Sequence, residues 1–361
     1  MTAAGVAAAG NDLINMATAY QKSLPPIAVT MGDPAGIGPD VTLACWMRRE
    51  KDSLPPFVVI GDPRLLAKRA GVMGLEIQVV PITSAREAAA NFSNGLPVMP
   101  AGDAGATEAG KPTPDGGAAA IAAIEAAVAL VQRREVRAIV TNPINKEQLY
   151  DIGFAHPGHT EFLAALAQEA SGEPVEPEMM LACDELKVVP VTRHILLSDV
   201  SAKLTKALIK NTILVTAEAM QSMFGISGPL IAVAGLNPHA GEGGNMGREE
   251  IDVIGPAIES ARAAGCHVVG PLSADTMFHA AAREGYDAAV AMYHDQALIP
   301  IKTLAFDRAV NMTLGLPFVR TSPDHGTAYA IAGSGEARPD SLLEALKLAH
   351  AASSHLATLE V

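Results

Sequence analysis

Cysteine is scarce in this chain of 361 residues. The three present, Cys45, Cys183 and Cys266, lie far apart. With no C-x-x-C pair and an odd total, they argue against a disulfide scaffold or a cysteine-rich zinc site and fit a reducing compartment. Aromatic residues make up only 4% against 49% apolar overall, so the core must be mainly aliphatic. Positive charge is also short: 26 Lys and Arg face 39 Asp and Glu, a formal net charge of −13. That argues against a nucleic-acid backbone or an anionic membrane as partner, since both need a basic surface. A small anion gripped by a few local cations stays possible. No long uninterrupted apolar segment reads as membrane-spanning, and the N-terminus lacks a basic stretch followed by an apolar one. A cytoplasmic enzyme is the expectation.

What is present is a regular alternation of short apolar runs and helical stretches. Runs at 27–30, 57–60, 77–80, 138–140, 230–234, 268–272 and 286–291 have strand length. Residues 179–182 and 187–191 read as a strand pair around the turn Cys183-Asp184-Glu185. Helices are expected near 117–133, 202–224, 249–264 and 340–357, while 91–115 reads as irregular with a short edge hairpin. This pattern predicts an α/β fold, with a mainly parallel sheet and helices on both faces. The length suits two lobes. Residues 1–23, Ala-rich before Pro25-Pro26, read as a tail or a loosely docked helix.

Polar loops follow several of these strands, where ligands collect in open α/β sheets. The first strand runs into Gly32-Asp33-Pro34-Ala35-Gly36-Ile37-Gly38-Pro39. It lacks G-x-G-x-x-G, so a Rossmann phosphate grip is not supported there. Asn145-Lys146 follow another strand; Lys146 could hold an anionic group, though taken alone this loop fits a solvated helix start better. Asp275 ends a third strand, where it also suits a helix N-cap. Met292-Tyr293-His294-Asp295-Gln296 place an imidazole and a carboxylate at a strand end, with Lys302, Asn311 and Arg320 close behind. Two further histidines, His159 and His239, occupy similar Gly-rich sites. Three such sites would make a three-histidine metal centre if the fold brought them together.

Five loops carry a resemblance. Residues 32–39, Gly158-His159-Thr160-Glu161-Phe162, 235–244, 292–296 and Asn311-Met312-Thr313-Leu314-Gly315-Leu316-Pro317 resemble, in order, the PdxA family of vitamin B6 biosynthesis. The resemblance implies a two-lobed fold like isocitrate and isopropylmalate dehydrogenases. It implies oxidation of 4-phosphooxy-L-threonine by NAD⁺ or NADP⁺, with loss of CO₂ to give 3-amino-2-oxopropyl phosphate. It also implies a homodimer whose active site, with a divalent metal (zinc, magnesium or cobalt), is completed at the subunit interface. His159, His239 and His294 become the implied metal ligands. Lys302, Asn311 and Arg320 become the implied substrate contacts, with Asn145 and Lys146 beside them. Asp275, Asp295 and Lys302 are candidate bases, and Gly241, Glu242, Gly243, Asp324 and His325 candidate coenzyme contacts. The expected layout is a tail over 1–24, a first lobe of 25–137 plus 312–361, and a second lobe of 138–311 carrying the metal ligands and much of the dimer interface. Asn145 departs from members with a substrate-contacting histidine there. Asn keeps a donor and an acceptor but does not titrate near neutrality. A switch to D-threonate 4-phosphate or an aromatic cis-dihydrodiol is therefore the first alternative. An acyltransferase like phosphotransacetylase is the more distant one.

Overall fold

The computed structural model describes residues 24–156 and 158–359. The expected tail, apart from Leu24, lies outside the described residues.

Twelve strands form one continuous sheet. In chain order they are β1 (Ile27–Thr30), β2 (Phe57–Gly61), β3 (Val79–Pro81), β4 (Leu96–Pro100), β5 (Ala138–Thr141) and β6 (Glu178–Cys183). Then come β7 (Leu186–Thr192), β8 (Leu230–Ala234), β9 (His267–Leu272), β10 (Ala288–Tyr293), β11 (Val310–Leu314) and β12 (Val319–Pro323). Their order across the sheet is β3-β4-β2-β1-β5-β12-β11-β6-β7-β10-β8-β9. The joints β12–β11, β11–β6 and β6–β7 are antiparallel and central. Every other joint is parallel, so the mainly parallel expectation holds.

Both faces of the sheet are covered. On β1 and β2, Ile27, Val29, Phe57 and Val59 join one buried cluster, while Ala28, Val58 and Ile60 join another with Ile124 and Ala127. Strands buried on both sides need no polar alternation, which is why they read as unbroken apolar runs.

Helices start where the chain supplies caps. Helix α1 (Gly38–Met47) opens from the first glycine-rich loop. The Asp62 carboxylate accepts the N–H groups of Arg64 (2.8 Å) and Leu65 (3.4 Å) ahead of α2 (Pro63–Val72). Thr113 caps α3 (Pro114–Gln132) through the Gly116 N–H. Among the described residues α3 alone is long and apolar enough to cross a membrane. It packs against β1, β2 and β5 instead, with Ala123, Ile124 and Ala127 fully buried, which makes it a core helix.

Two expectations need correcting. The irregular stretch 91–115 holds no edge hairpin; Leu96–Pro100 pairs parallel with both β2 and β3. The polar segments around Asn311 and Arg320 are strands, β11 and β12, paired as Asn311↔Ser322 and Thr313↔Arg320. Ala138–Thr141 lies between β1 and β12.

Candidate active site

Three neighbouring parallel strands, β7, β10 and β8, end on the same side of the sheet. His194 follows β7 by two residues, and His294 directly follows β10, whose Tyr293 is in register with Thr192. His239 lies in the loop after β8. The rings of His194 and His294 are 5.4 Å apart, centroid to centroid. His194 is the residue sequence reasoning missed. Its neighbours Arg193 and Ile195 carry no Gly-rich signature, and the strand order that sets it beside His294 is not written in sequence spacing.

His159 is placed differently. It begins helix α5 (His159–Ser171), after the helix α4 (Lys146–Asp151) that starts with Lys146. It shares a cavity of about 730 Å³ with Lys146, Glu161, His194, Asn311 and Arg320. His159 is half-buried, and its buried Nε2 has no hydrogen-bond partner. Burial first, then the charges of Arg320 and Lys146, push its pKa well below the ordinary imidazole value. A neutral imidazole keeps a nitrogen lone pair free, for a hydrogen bond or for a metal ion, and Glu161 shares the cavity with the two cations.

Arg320 anchors this end. It is buried on β12, where Nε (3.1 Å) and Nη2 (2.6 Å) donate to Thr141 Oγ1, and Nη1 (2.9 Å) donates to Thr313 Oγ1. Burial pushes its pKa down to about 10, opposed by Glu161, so it remains a cation at neutral pH. On the neighbouring strand Asn311 turns a buried, unpartnered Oδ1 toward the cavity side. Asn145 is committed elsewhere: its Oδ1 caps α4 by accepting the N–H of Glu147 (2.9 Å).

The remaining candidates fall into pairs. His239 Nδ1 meets Glu242 Oε1 at 2.6 Å, and His294 Nδ1 meets Asp295 Oδ1 at 2.7 Å. A carboxylate on Nδ1 orients the ring and leaves Nε2 as the lone-pair nitrogen, the usual arrangement for a metal-binding histidine. Glu242 raises the pKa of His239 through that bond and its charge, with Asp275 adding to the effect. The Asp275 carboxylate is held below its usual range mainly by the Ser273 hydroxyl, which donates to it at 2.5 Å. Lys302, on helix α6 (His294–Ala305), pairs with Asp324 at 2.8 Å instead of lining the His159 cavity. His325 Nδ1 lies 3.1 Å from the Gly326 carbonyl, and its buried Nε2 has no partner. Gly241 packs against Glu250, whereas Gly243 faces open space.

Among the described residues, no three His, Cys, Asp or Glu side chains of one chain sit close enough to form a ligand set. His159, His239 and His294 therefore do not converge within a single chain. The donors fit a metal nonetheless: two rings carry carboxylate partners on Nδ1, and three lie at adjacent strand ends.

Fold and site together define an α/β enzyme with a cavity lined by His159, His194, Lys146 and Arg320. The chain belongs to the PdxA family: residues 53–349 match the family described as pyridoxal phosphate biosynthetic protein PdxA. A 4-hydroxythreonine-4-phosphate dehydrogenase of Bradyrhizobium diazoefficiens is 54% identical over 332 residues, covering 90% of this chain and 96% of its own. The enzyme of that name from Roseobacter denitrificans is 51% identical, over 92% of this chain and 98% of its own. The crystal structure of a 4-hydroxythreonine-4-phosphate dehydrogenase from Klebsiella pneumoniae superposes with a TM-score of 0.80 at 38% identity, covering 91% of this chain and 99% of that one. A terephthalate 1,2-cis-dihydrodiol dehydrogenase from Burkholderia xenovorans gives 0.62 at 27% identity, over 91% and 98% of the two chains.

Proposed function

We propose that this chain oxidises 4-phosphooxy-L-threonine with NAD⁺ or NADP⁺, and that the resulting 2-amino-3-oxo acid loses CO₂ to give 3-amino-2-oxopropyl phosphate for vitamin B6 synthesis. The observation that carries this reading is the cavity that gathers Lys146, His159, Asn311 and Arg320. Near-full-length relatives of that activity at about half identity support it.

Lys146, Arg320 and Asn311 bind the anionic ends of the substrate. Arg320 suits this task because its planar fork matches phosphate and carboxylate. His159, His239 and His294 hold the divalent cation, drawn from two copies of the chain, and His194 stands beside His294. A neutral His159 has the free lone pair that such a ligand needs. When bound, that cation supplies Lewis-acid polarisation of the substrate hydroxyl and of the carbonyl it becomes. The nicotinamide coenzyme supplies the hydride acceptor, and the loops at 241–243 and 324–325 are its proposed contacts. The buried, unpartnered Nε2 of His325 fits a donor on such a ligand. Among the candidate bases, Asp295 is engaged by His294 and Lys302 by Asp324. Asp275, exposed and held ionised by Ser273, is our choice to take the hydroxyl proton.

A second copy of the chain completes the metal site. Leu196 and Leu197, 71% and 70% exposed, follow His194, and Ile299, 63% exposed, shares a helix with His294. Exposed apolar residues gathered beside a site support an interface there.

The test is NADH formation with 4-phosphooxy-L-threonine, D-threonate 4-phosphate and an aromatic cis-dihydrodiol supplied separately. The proposal expects turnover with the first. Turnover with only one of the others would move the assignment within the family.

A further inference from the structure

His239, Ala240, Gly241, Glu242 and Gly243 all adopt left-handed backbone conformations, with φ between 42° and 78°. Three of the five carry side chains that disfavour this region, and such a run persists only when its surroundings over-determine it. The buried carboxylate of Glu250 supplies that constraint. Its Oε1 accepts the N–H groups of Leu236 (2.8 Å) and Asn237 (2.7 Å), and its Oε2 accepts Asn237 Nδ2 (3.0 Å). Glycines close around these groups. A Cβ on Gly241 would lie 2.6 Å from Glu250 Oε2, and one on Gly247 would lie 2.4 Å from Asn237 Nδ2. Glu250 also opens a π-helical turn, Glu250–Ile254, an irregularity frequent at functional sites. The frame reaches the second imidazole as well. Gln296, one turn into the helix that His294 begins, donates Nε2 to the Gly235 carbonyl at 2.7 Å.

We propose that Glu250 is a positioning residue that holds the left-handed turn presenting His239, and so sets the affinity of the site for its divalent cation. This rests on the metal reading above. Glu250 does not touch the ligand. It acts through Asn237 and the backbone of the turn. The glycines at 241 and 247 are there to admit the carboxylate and the Asn237 amide.

The test compares metal-stripped wild-type protein with E250A, E250Q and H239A. Each is titrated with Co(II), followed by the absorption of the bound ion, and thermal midpoints are recorded without metal. E250A is expected to weaken Co(II) binding roughly 10- to 100-fold, the range for losing a supporting partner, and to alter the absorption band. E250Q keeps an oxygen for Leu236 and Asn237, so it recovers part of the affinity. Because Gln is isosteric, E250Q carries the comparison if E250A does not fold. Wild-type affinity and absorption in the Glu250 variants, beside lost binding in H239A, would overturn the positioning role alone. Wild-type binding in H239A would overturn it together with the metal reading.

Discussion

His194 and His294 stand with ring centroids 5.4 Å apart at the ends of neighbouring parallel strands. His159 lines the same cavity as His194, its pKa depressed by burial and by Arg320 and Lys146. Single substitutions test both imidazoles. His194→Ala is expected to lower bound metal and to slow turnover at least about 10- to 100-fold. His159→Ala, which removes a proposed ligand, is expected to lose metal and activity together. Metal analysis of the purified variants, alongside KM and kcat, checks both.

Arg320 donates to two threonine hydroxyls from a buried position, which fixes its guanidinium before substrate arrives. Arg320→Lys keeps the charge but loses the fork. Hydrogen bonds to charged groups are worth about 1.5–3 kcal/mol, so KM for the phosphorylated substrate should rise roughly 10- to 150-fold. Steady-state kinetics with saturating coenzyme measures it.

Away from the site, Arg137 Nη2 donates to His350 Nδ1 at 2.5 Å, joining the approach to β5 to the C-terminal helix Asp340–Leu359. Burial first, then the Arg137 charge, lower the pKa of His350. The stabilisation is complete above about pH 6.5, the ordinary value for histidine. It fades as pH falls from there toward the depressed folded value, because the unfolded chain takes up the proton first. His350→Gln should flatten that part of the stability profile between neutral and mildly acid pH, read by denaturant midpoints.

Arg69 forms a buried ion pair with Asp40 and also donates to the carbonyls of Gly36 (3.0 Å) and Pro34 (2.8 Å). Asp40 in turn accepts the Gly333 N–H at 2.5 Å. Arg69→Met leaves Asp40 buried without its partner, a change that costs about 3–5 kcal/mol. A lower denaturation midpoint is expected, and KM for the coenzyme should rise more than KM for substrate because the loop at 324–333 loses its support.

The strands at 27–30, 57–61, 138–141 and 230–234 are legible in sequence because both faces of each are covered. Only apolar residues survive there, so an unbroken run marks the element. The antiparallel pair Val310–Leu314 and Val319–Pro323 is not legible, because polar groups interrupt it. Asn311, Thr313, Arg320 and Thr321 place amide, hydroxyl and guanidinium groups where an unbroken apolar run would mark a strand, and partners from other elements satisfy several of them in the fold. His239 and His294 stand out in sequence by their glycine-rich or acidic company. His194 has no such company, and only the strand order β7-β10-β8 brings it forward. The same topology sets His159 in a cavity with Lys146, Glu161, Asn311 and Arg320, drawn from distant parts of the chain.

The account is tested most directly by following NADH absorbance with 4-phosphooxy-L-threonine as substrate, before and after chelation and again after a divalent cation is restored. The reading predicts turnover that the chelator abolishes and the cation brings back. Steady NADH formation in the presence of the chelator, or none with any cation, would contradict it.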